Sequence, residues 1–395
     1  MNEKISQLVD ELYPQLVSLR RTIHQHPELS DQEFETVELV KKYLRQANIK
    51  HEQLENMNAI VGIIEGANEG RVIALRADMD ALPIQEINQT TYASKVKGVM
   101  HACGHDVHTT ILIGAALILN QLKDEFNGAV KLLFQPAEET DGGADRMIKA
   151  GALKNPTVDV ALGLHCHPSV EVGSISLCQD KAHAASDMIK IHVHGKKAHG
   201  AYPDEGVDAI LVASHIVTAL QALASRNTSP FNPVVMSIGT IKGGDAGNVI
   251  ASEVEMRGIV RTFDNQTRQF MLRRLNEVCR HVAATYHATA EVEIKSGYPA
   301  LINDEELVTQ LSNLATKVLG DGHVIMQSHG SLGVEDFAYF AQAVPSCFYN
   351  LGTGNVERGI TAGLHSDQFD IDEEAIRIGV KLQVLATLDL LGVTL

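Results

Sequence analysis

Positive charge is scarce in this chain. Its 395 residues carry 33 lysines and arginines against 49 aspartates and glutamates, a formal charge of −16. Nucleic acid and anionic membrane surfaces both require a basic face, so neither is expected as a partner. Met1 to Asp10 is polar and of mixed charge, so no leader is expected, and no apolar run approaches the roughly 18 residues that cross a bilayer. Cysteine is sparse: Cys103, Cys166, Cys178, Cys279 and Cys347 are five, an odd number at unrelated spacings with no C-x-x-C. That excludes a secreted disulfide framework and fits reduced thiols in a cytoplasm. Internal repeats and low-complexity segments are absent. H-E-x-x-H, G-x-S-x-G, a phosphate-binding loop and a dinucleotide fingerprint are absent too, which removes several competing chemistries.

What is present is ample apolar material, 45% of the chain, at a length suited to two domains. Helical periodicity covers Glu3 to Gln25 and Asp31 to Gln46. Buried-type strands are expected at Ala59 to Glu65, Arg71 to Ala77, Gly128 to Phe134, Val158 to Leu164 and Pro345 to Leu351, and a strongly apolar helix at Val107 to Leu122. Apolar strands alternating with helices imply an α/β domain, a mostly parallel sheet covered by helices on both faces. Ligands bind such sheets beyond the carboxyl ends of the strands. Three successive strands end there in polar groups: Asp78-Met-Asp80, Pro136-Ala-Glu-Glu139 and His165-Cys-His167.

The pattern changes near Ser186. Alternating strands at Met188 to Val193, Val234 to Ile241, Val249 to Thr262 and Ala290 to Lys295, with helices at Gly206 to Ser225 and Asn265 to Tyr286, give the order β-α-β-β-α-β. That is the ferredoxin-like unit. The expected organisation is therefore a discontinuous first domain, 1–185 and 296–395, with an inserted α+β domain at 186–295.

Gly98 to Thr110 reads G-V-M-H-A-C-G-H-D-V-H-T-T. Gly104 permits a turn tight enough to aim Cys103 and His105 at one centre, and a thiolate with an imidazole suits zinc or a similar cation. The alternative is a plain helix cap with Asp106 as N-cap. Glu138 and Glu139 are adjacent, so one can bind metal while the other faces substrate; alternatively both are solvated loop residues. His165 and His365 are each weak signals alone. Together Cys103, His105, Glu139, His165 and His365 make five ligands, too many for one open tetrahedral zinc but suited to two metals sharing a bridging group. Glu138 would then be free to move the proton of an attacking water.

The segments R-A-D-M-D-A-L-P, M-H-A-C-G-H-D, Q-P-A-E-E, G-L-H-C-H-P and G-V-E-D-F, in this order, resemble the metal-dependent amidohydrolase family. Its members include aminoacylases, hippurate hydrolase, acetyldiaminopimelate deacetylase, indole-acetyl-amino-acid hydrolases and related carboxypeptidases. The likeness runs from about Leu19 to Ile376 and implies a binuclear metallopeptidase-like core plus a lid that also dimerises. It implies two divalent ions per chain (manganese, zinc, nickel or cobalt) on Cys103, His105, Glu139, His165 and His365, with Cys103 bridging. It further implies Glu138 as general base and Asp80 as the residue orienting the metal site.

In the inserted domain, Gly195 to Pro203 resembles the family's lid motif. His199 would stabilise the oxyanion, often in the partner's active site, although Ala198 stands where the family more often has glycine. Asn248 and Arg261 match family positions that meet the substrate carboxylate or the subunit interface, with a plain loop cap and an exposed charge as the alternative; backbone at Gly352 would lie near the substrate, and Glu335 would support the metal pocket. The implied reaction is hydrolysis of an N-acyl amino acid to a carboxylic acid and a free amino acid, by a cytoplasmic homodimer or tetramer. A carboxypeptidase or dipeptidase using the same site is the alternative. A non-catalytic scaffold dimer is disfavoured because every ligand and the base are present.

Overall fold

The computed structural model describes residues 1–395. The chain divides into two compact units: Met1–Ala182 with Ile302–His329 and Tyr339–Leu395, and His183–Leu301 with Gly330–Ala338.

The first unit is built on an 8-stranded sheet in the order Lys50–Gln53, Ile60–Glu65, Ala129–Gln135, Val72–Asp78, Val160–Glu171, Ser346–Gly354, Ile175–Cys178, Val324–Gln327. The four central strands run parallel to one another. Antiparallel pairing joins Ile60–Glu65 to Ala129–Gln135 and Ile175–Cys178 to Ser346–Gly354. Val72–Asp78 (V-I-A-L-R-A-D) and Ala129–Gln135 are buried along their whole length, as the continuous apolar runs require. The strands not anticipated, Lys50–Gln53, Ile175–Cys178 and Val324–Gln327, are four residues each and lie in the outer part of the sheet. Short segments of this kind carry little periodic signal.

Helix His105–Gln121 is buried on nearly every side. It packs against helices Asn2–Gln25 and Glu374–Leu390. Two glycines permit the close approach. A Cβ on Gly114 would meet Val380 and Leu16 at 2.8 and 2.9 Å, and one on Gly379 would meet Ile111 at 2.4 Å.

The second unit carries a 4-stranded antiparallel sheet in the order Val234–Gly243, Glu253–Thr262, Ala185–His194, Thr289–Ser296. Helices Ala209–Arg226 and Asn265–Thr285 share one apolar core with it. Element order and strand order together are those of the ferredoxin-like unit. Each helix starts at an aspartate whose carboxylate accepts backbone N–H groups: Asp208 from Ile210 and Leu211, Asp264 from Thr267, the preferred N-cap chemistry. The expected strand Val249 to Thr262 is two elements. Val249–Ile250 pairs instead with Ala198–His199.

Helix Ala209–Arg226 is long and apolar enough, by length and composition, to cross a membrane. Its Val212, Ala213, Ile216, Leu220 and Leu223 are buried in the second unit's core, while Ile210 and Leu211 on its outer side are each 48% exposed. Apolar residues on both sides of the helix make the run long.

Gly379→Ala should lower stability by about 1–3 kcal/mol, the usual effect of overpacking a core contact. Thermal denaturation of the two proteins checks it, and an unchanged midpoint would mean the helix pair can part to admit a methyl group.

Candidate metal centre

The polar residues singled out in the sequence meet at one end of the central strands of the first unit. Val72–Asp78 leads directly to Met79 and Asp80. Gly104 adopts φ 88° and is itself the N-cap of helix His105–Gln121. Asp106 is therefore not the cap; it lies inside the first turn. A side chain at Gly104 would also put its Cβ 2.9 Å from that of Cys166. Glycine is demanded twice over, by backbone and by space. This turn places Cys103 and His105 on either side of it.

Beyond Ala129–Gln135, Pro136 leads to Ala137, whose φ of 55° is left-handed, and then to Glu138 and Glu139. His165 lies inside strand Val160–Glu171 rather than at its end, because the H-C-H-P-S segment continues the strand. His365, at φ 62°, donates its N–H to Ala102 O at 2.8 Å, tying the C-terminal loop to the cysteine segment.

Two groups of ligand-type atoms result, each with all members within 4.8 Å of one another: Cys103, His105 and His165; and Cys103, Glu139 and His365. They share Cys103. A third group joins Glu138 to His105 and Glu139. Cys103 Sγ lies 3.4 Å from His165 Nε2, and Glu139 Oε1 lies 3.9 Å from His105 Nε2 and 3.3 Å from His365 Nε2. His105 Nε2 is buried with no hydrogen-bond partner. Buried polar atoms without partners are rare, and a thiol, imidazoles and carboxylates around one point suit borderline divalent cations. The residues fit two such ions.

The electrostatics agree. Burial opposes a charged His105, yet Asp78, Asp80 and Glu139 pull it up to about 10. Burial and the carboxylates of Glu139 and Glu138 push the Cys103 thiol well above its ordinary range. The pocket thus attracts positive charge, and a thiolate in it requires a cation.

Asp80 organises the centre. Its Oδ1 lies 3.1 Å from His105 Nδ1, which turns Nε2 toward the ligand cluster. The same carboxylate accepts the N–H of Glu138 at 3.1 Å, the N–H of Glu139 at 3.0 Å and the Ser30 hydroxyl at 2.7 Å. Asp78, His108 and Glu33 back the centre without being among the expected ligands. Asp78 receives Arg76 at 2.7 Å and His108 Nδ1 at 2.6 Å, and His108 Nε2 accepts the N–H of Cys166 at 2.8 Å, fixing the backbone next to His165. Glu33 is fully buried and accepts from Asp31 and Ala137 N–H. The spacing D-x-D was a signal for Asp78; Glu33 had none.

The remaining residues are placed as follows. His199 is exposed in the second unit, its Nδ1 accepting the N–H of Ala201 at 3.0 Å. Asn248 is also exposed, and its carbonyl accepts from Gly200 at 2.7 Å. Arg261 is partly buried, with Nη1 unpartnered. Glu335 is buried and its Oε1 accepts the N–H of Phe337 at 2.8 Å. Gly352 is buried in the first unit, its N–H donated to Ser174 O at 2.9 Å, and a Cβ there would approach Glu171 O to 2.1 Å.

Residues 74–388 match the model of peptidase family M20/M25/M40. The chain belongs to that family. It is 40% identical over 365 residues to the N-acetyl-L-cysteine deacetylase of Bacillus subtilis (strain 168), covering 92% of this chain and 85% of the relative. It is 37% identical to thermostable carboxypeptidase 2 of Saccharolobus solfataricus, covering 97% of each. Among solved structures it resembles the Bacillus subtilis YXEP protein, described as a dinuclear metal-binding peptidase from the M20 family, with TM-score 0.85 and 34% identity over 98% of this chain and all (100%) of that one. The α/β fold with its large, mostly parallel sheet is thus the expected one for an M20 chain.

Glu33 supplies a pH test of the M20 core. Burial, with Asp80 nearby, pushes its carboxyl from 4.5 up to about 7. A raised folded value means the native state holds the proton more tightly than the unfolded chain. Stability from this group is full below pH ~4.5 and lost as pH rises through ~7. Relative to Glu33→Gln, the unaltered protein should lose stability across that window, by up to about 1.4 kcal/mol per pH unit. Urea denaturation at several pH values checks it; parallel curves would return Glu33 to an ordinary pKa.

Proposed function

We propose that this metal-dependent amidohydrolase cleaves the amide bond of N-acyl amino acids, N-acetyl amino acids among them, releasing a carboxylic acid and a free amino acid. The observation that carries the reading is the pair of ligand groups sharing Cys103, the arrangement two cations with one bridging ligand need. The deacetylase relative supports the substrate class. The thermostable carboxypeptidase relative keeps a peptide bond as the second candidate substrate.

Cys103, His105, Glu139, His165 and His365 would hold two divalent ions, of manganese, zinc, nickel or cobalt. Such ions, when bound, supply Lewis acidity toward the amide carbonyl and a lower pKa for water. The protein's own part is proton traffic and positioning. Glu138, next to the ligand cluster and 7% exposed, takes a proton from water as its oxygen adds to the carbonyl carbon. It delivers that proton to the amide nitrogen as the C–N bond breaks. Asp80 holds His105 and both glutamate amides in register for this step. By the family likeness, His199 in the second unit would donate to the developing oxyanion in a partner subunit's active site, and Asn248 and Arg261 would meet a substrate carboxylate or the subunit interface. That unit would also carry the subunit contact of a homodimer.

Three outcomes test the reading. Purified protein loaded with manganese or zinc should hydrolyse N-acetyl, N-benzoyl or indole-acetyl amino acids, and lose the activity on chelation. Turnover of dipeptides alone would transfer the assignment to the peptidase reading. Glu138→Ala should reduce kcat by about 10² to 10⁴-fold while bound metal, read by elemental analysis, stays at the unaltered level; full activity would remove Glu138 as the base. His365→Ala should lower the bound metal per chain, and unchanged content would drop it from the ligand set.

A further inference from the structure

We infer that Glu33 is a positioning residue for the reaction: from outside the metal centre, its carboxyl oxygen locks the left-handed turn at Ala137 that aims Glu138 and Glu139. The inference rests on the roles proposed above for those two glutamates.

Ala137 directly precedes the pair and sits at φ 55°. A side chain with a Cβ disfavours that conformation, so surrounding contacts must impose it. The contacts are visible. Its N–H donates to Glu33 Oε1 at 2.9 Å, and its carbonyl accepts from Gly142 at 3.0 Å. The same Glu33 oxygen accepts the N–H of Asp31 at 2.9 Å, and Asp31 is left-handed too, at φ 62°. The second oxygen accepts from Asn58 Nδ2 at 3.2 Å. Glu33 and Ala137 are both fully buried, so the bond lies out of reach of bulk water.

The next two N–H groups, of Glu138 and Glu139, go to Asp80. Three successive amides of one turn are therefore held by two carboxyl groups from different parts of the chain. Asp80 alone also touches a proposed ligand, His105; Glu33 reaches the centre only through this backbone. Without Glu33 the Ala137 N–H is left buried and unpaired. The turn is then free to relax toward right-handed backbone, which swings the glutamates away from their shared centre.

The test compares Glu33→Gln, Glu33→Asp, Glu33→Ala and Glu33→Ala with Ala137→Gly, in metal-loaded full-length protein, against an N-acyl amino acid that the unaltered enzyme turns over. Glutamine keeps an oxygen for the two N–H groups, and the Asn58 amide can rotate to accept from its nitrogen, so kcat should stay within about threefold. Alanine, and aspartate one methylene short, should lower kcat about 10 to 100-fold with KM within about threefold. Ala137→Gly, free to adopt the left-handed turn, should recover at least about threefold of the loss in the alanine background.

Amide hydrogen exchange over residues 136–143 is read in parallel. It should rise in the alanine and aspartate variants and not in the glutamine variant. Equal damage in the glutamine and alanine variants, unchanged kcat in the aspartate and alanine variants, or unaltered exchange at Ala137 to Glu139 would each overturn the inference. If no N-acyl amino acid is hydrolysed, the functional reading fails by itself, while the exchange measurement still decides whether Glu33 holds the turn.

Discussion

Everything at the centre depends on one buried carboxylate, that of Asp80. It is 1% exposed and draws together four separate parts of the chain: His105 at a helix start, the Glu138 and Glu139 amides after one strand, Ser30 in the segment between the first two helices, and its own strand end. A carboxylate with several donors keeps its charge despite burial, and Asp80 is held below the usual range although desolvation opposes it. That retained charge fixes which ring nitrogen of His105 faces outward. The residue is thus a structural hub whose geometry is set by chemistry needed a bond further on.

Behind that hub lies a second set of buried charges. Arg20 and Asp106 pair at 2.8 Å with neither side chain exposed, and His24 Nδ1 lies 2.8 Å from the same Asp106 oxygen. Asp106 follows His105 directly, so this cluster anchors the helix that carries the ligand. Removing one member of such a pair leaves an uncompensated charge, which costs more than the pair contributes net. The centre is therefore underpinned by a buried polar layer. That explains why helix His105–Gln121 is polar in its first turn and almost wholly apolar after it.

Much of this was legible in sequence because the informative signals were local. Continuous apolar runs reported the central strands, alternation reported the second unit, and tight motifs placed Cys103 beside His105 and Glu138 beside Glu139. What was not legible depends on pairing over distance. Lys50–Gln53 and Val324–Gln327 are strands only because a sheet edge receives them. His165 was expected at a strand end, but its strand runs on to Glu171 and pairs with Ser346–Gly354 as far as Gly354. His108 and Glu33 carry ordinary local patterns, and only the D-x-D spacing marked Asp78; the partners that give them their roles lie some 30 to 100 positions away.

Backbone strain ties these observations together. Apart from glycine, left-handed residues are few in the chain, yet Asp31, Ala137 and His365 are three of them, and each lies at or next to a segment that builds the centre. Histidine and aspartate tolerate that conformation better than alanine does. Ala137 is therefore the position where the fold opposes its own local preference most directly. The opposition is sustained by buried carboxyl groups rather than by apolar packing, and carboxyl hydrogen bonds are directional. A hydrophobic contact could have filled the space around Pro136 to Glu139, but it could not have fixed the angle at which two adjacent glutamates part, one toward the cations and one toward the substrate.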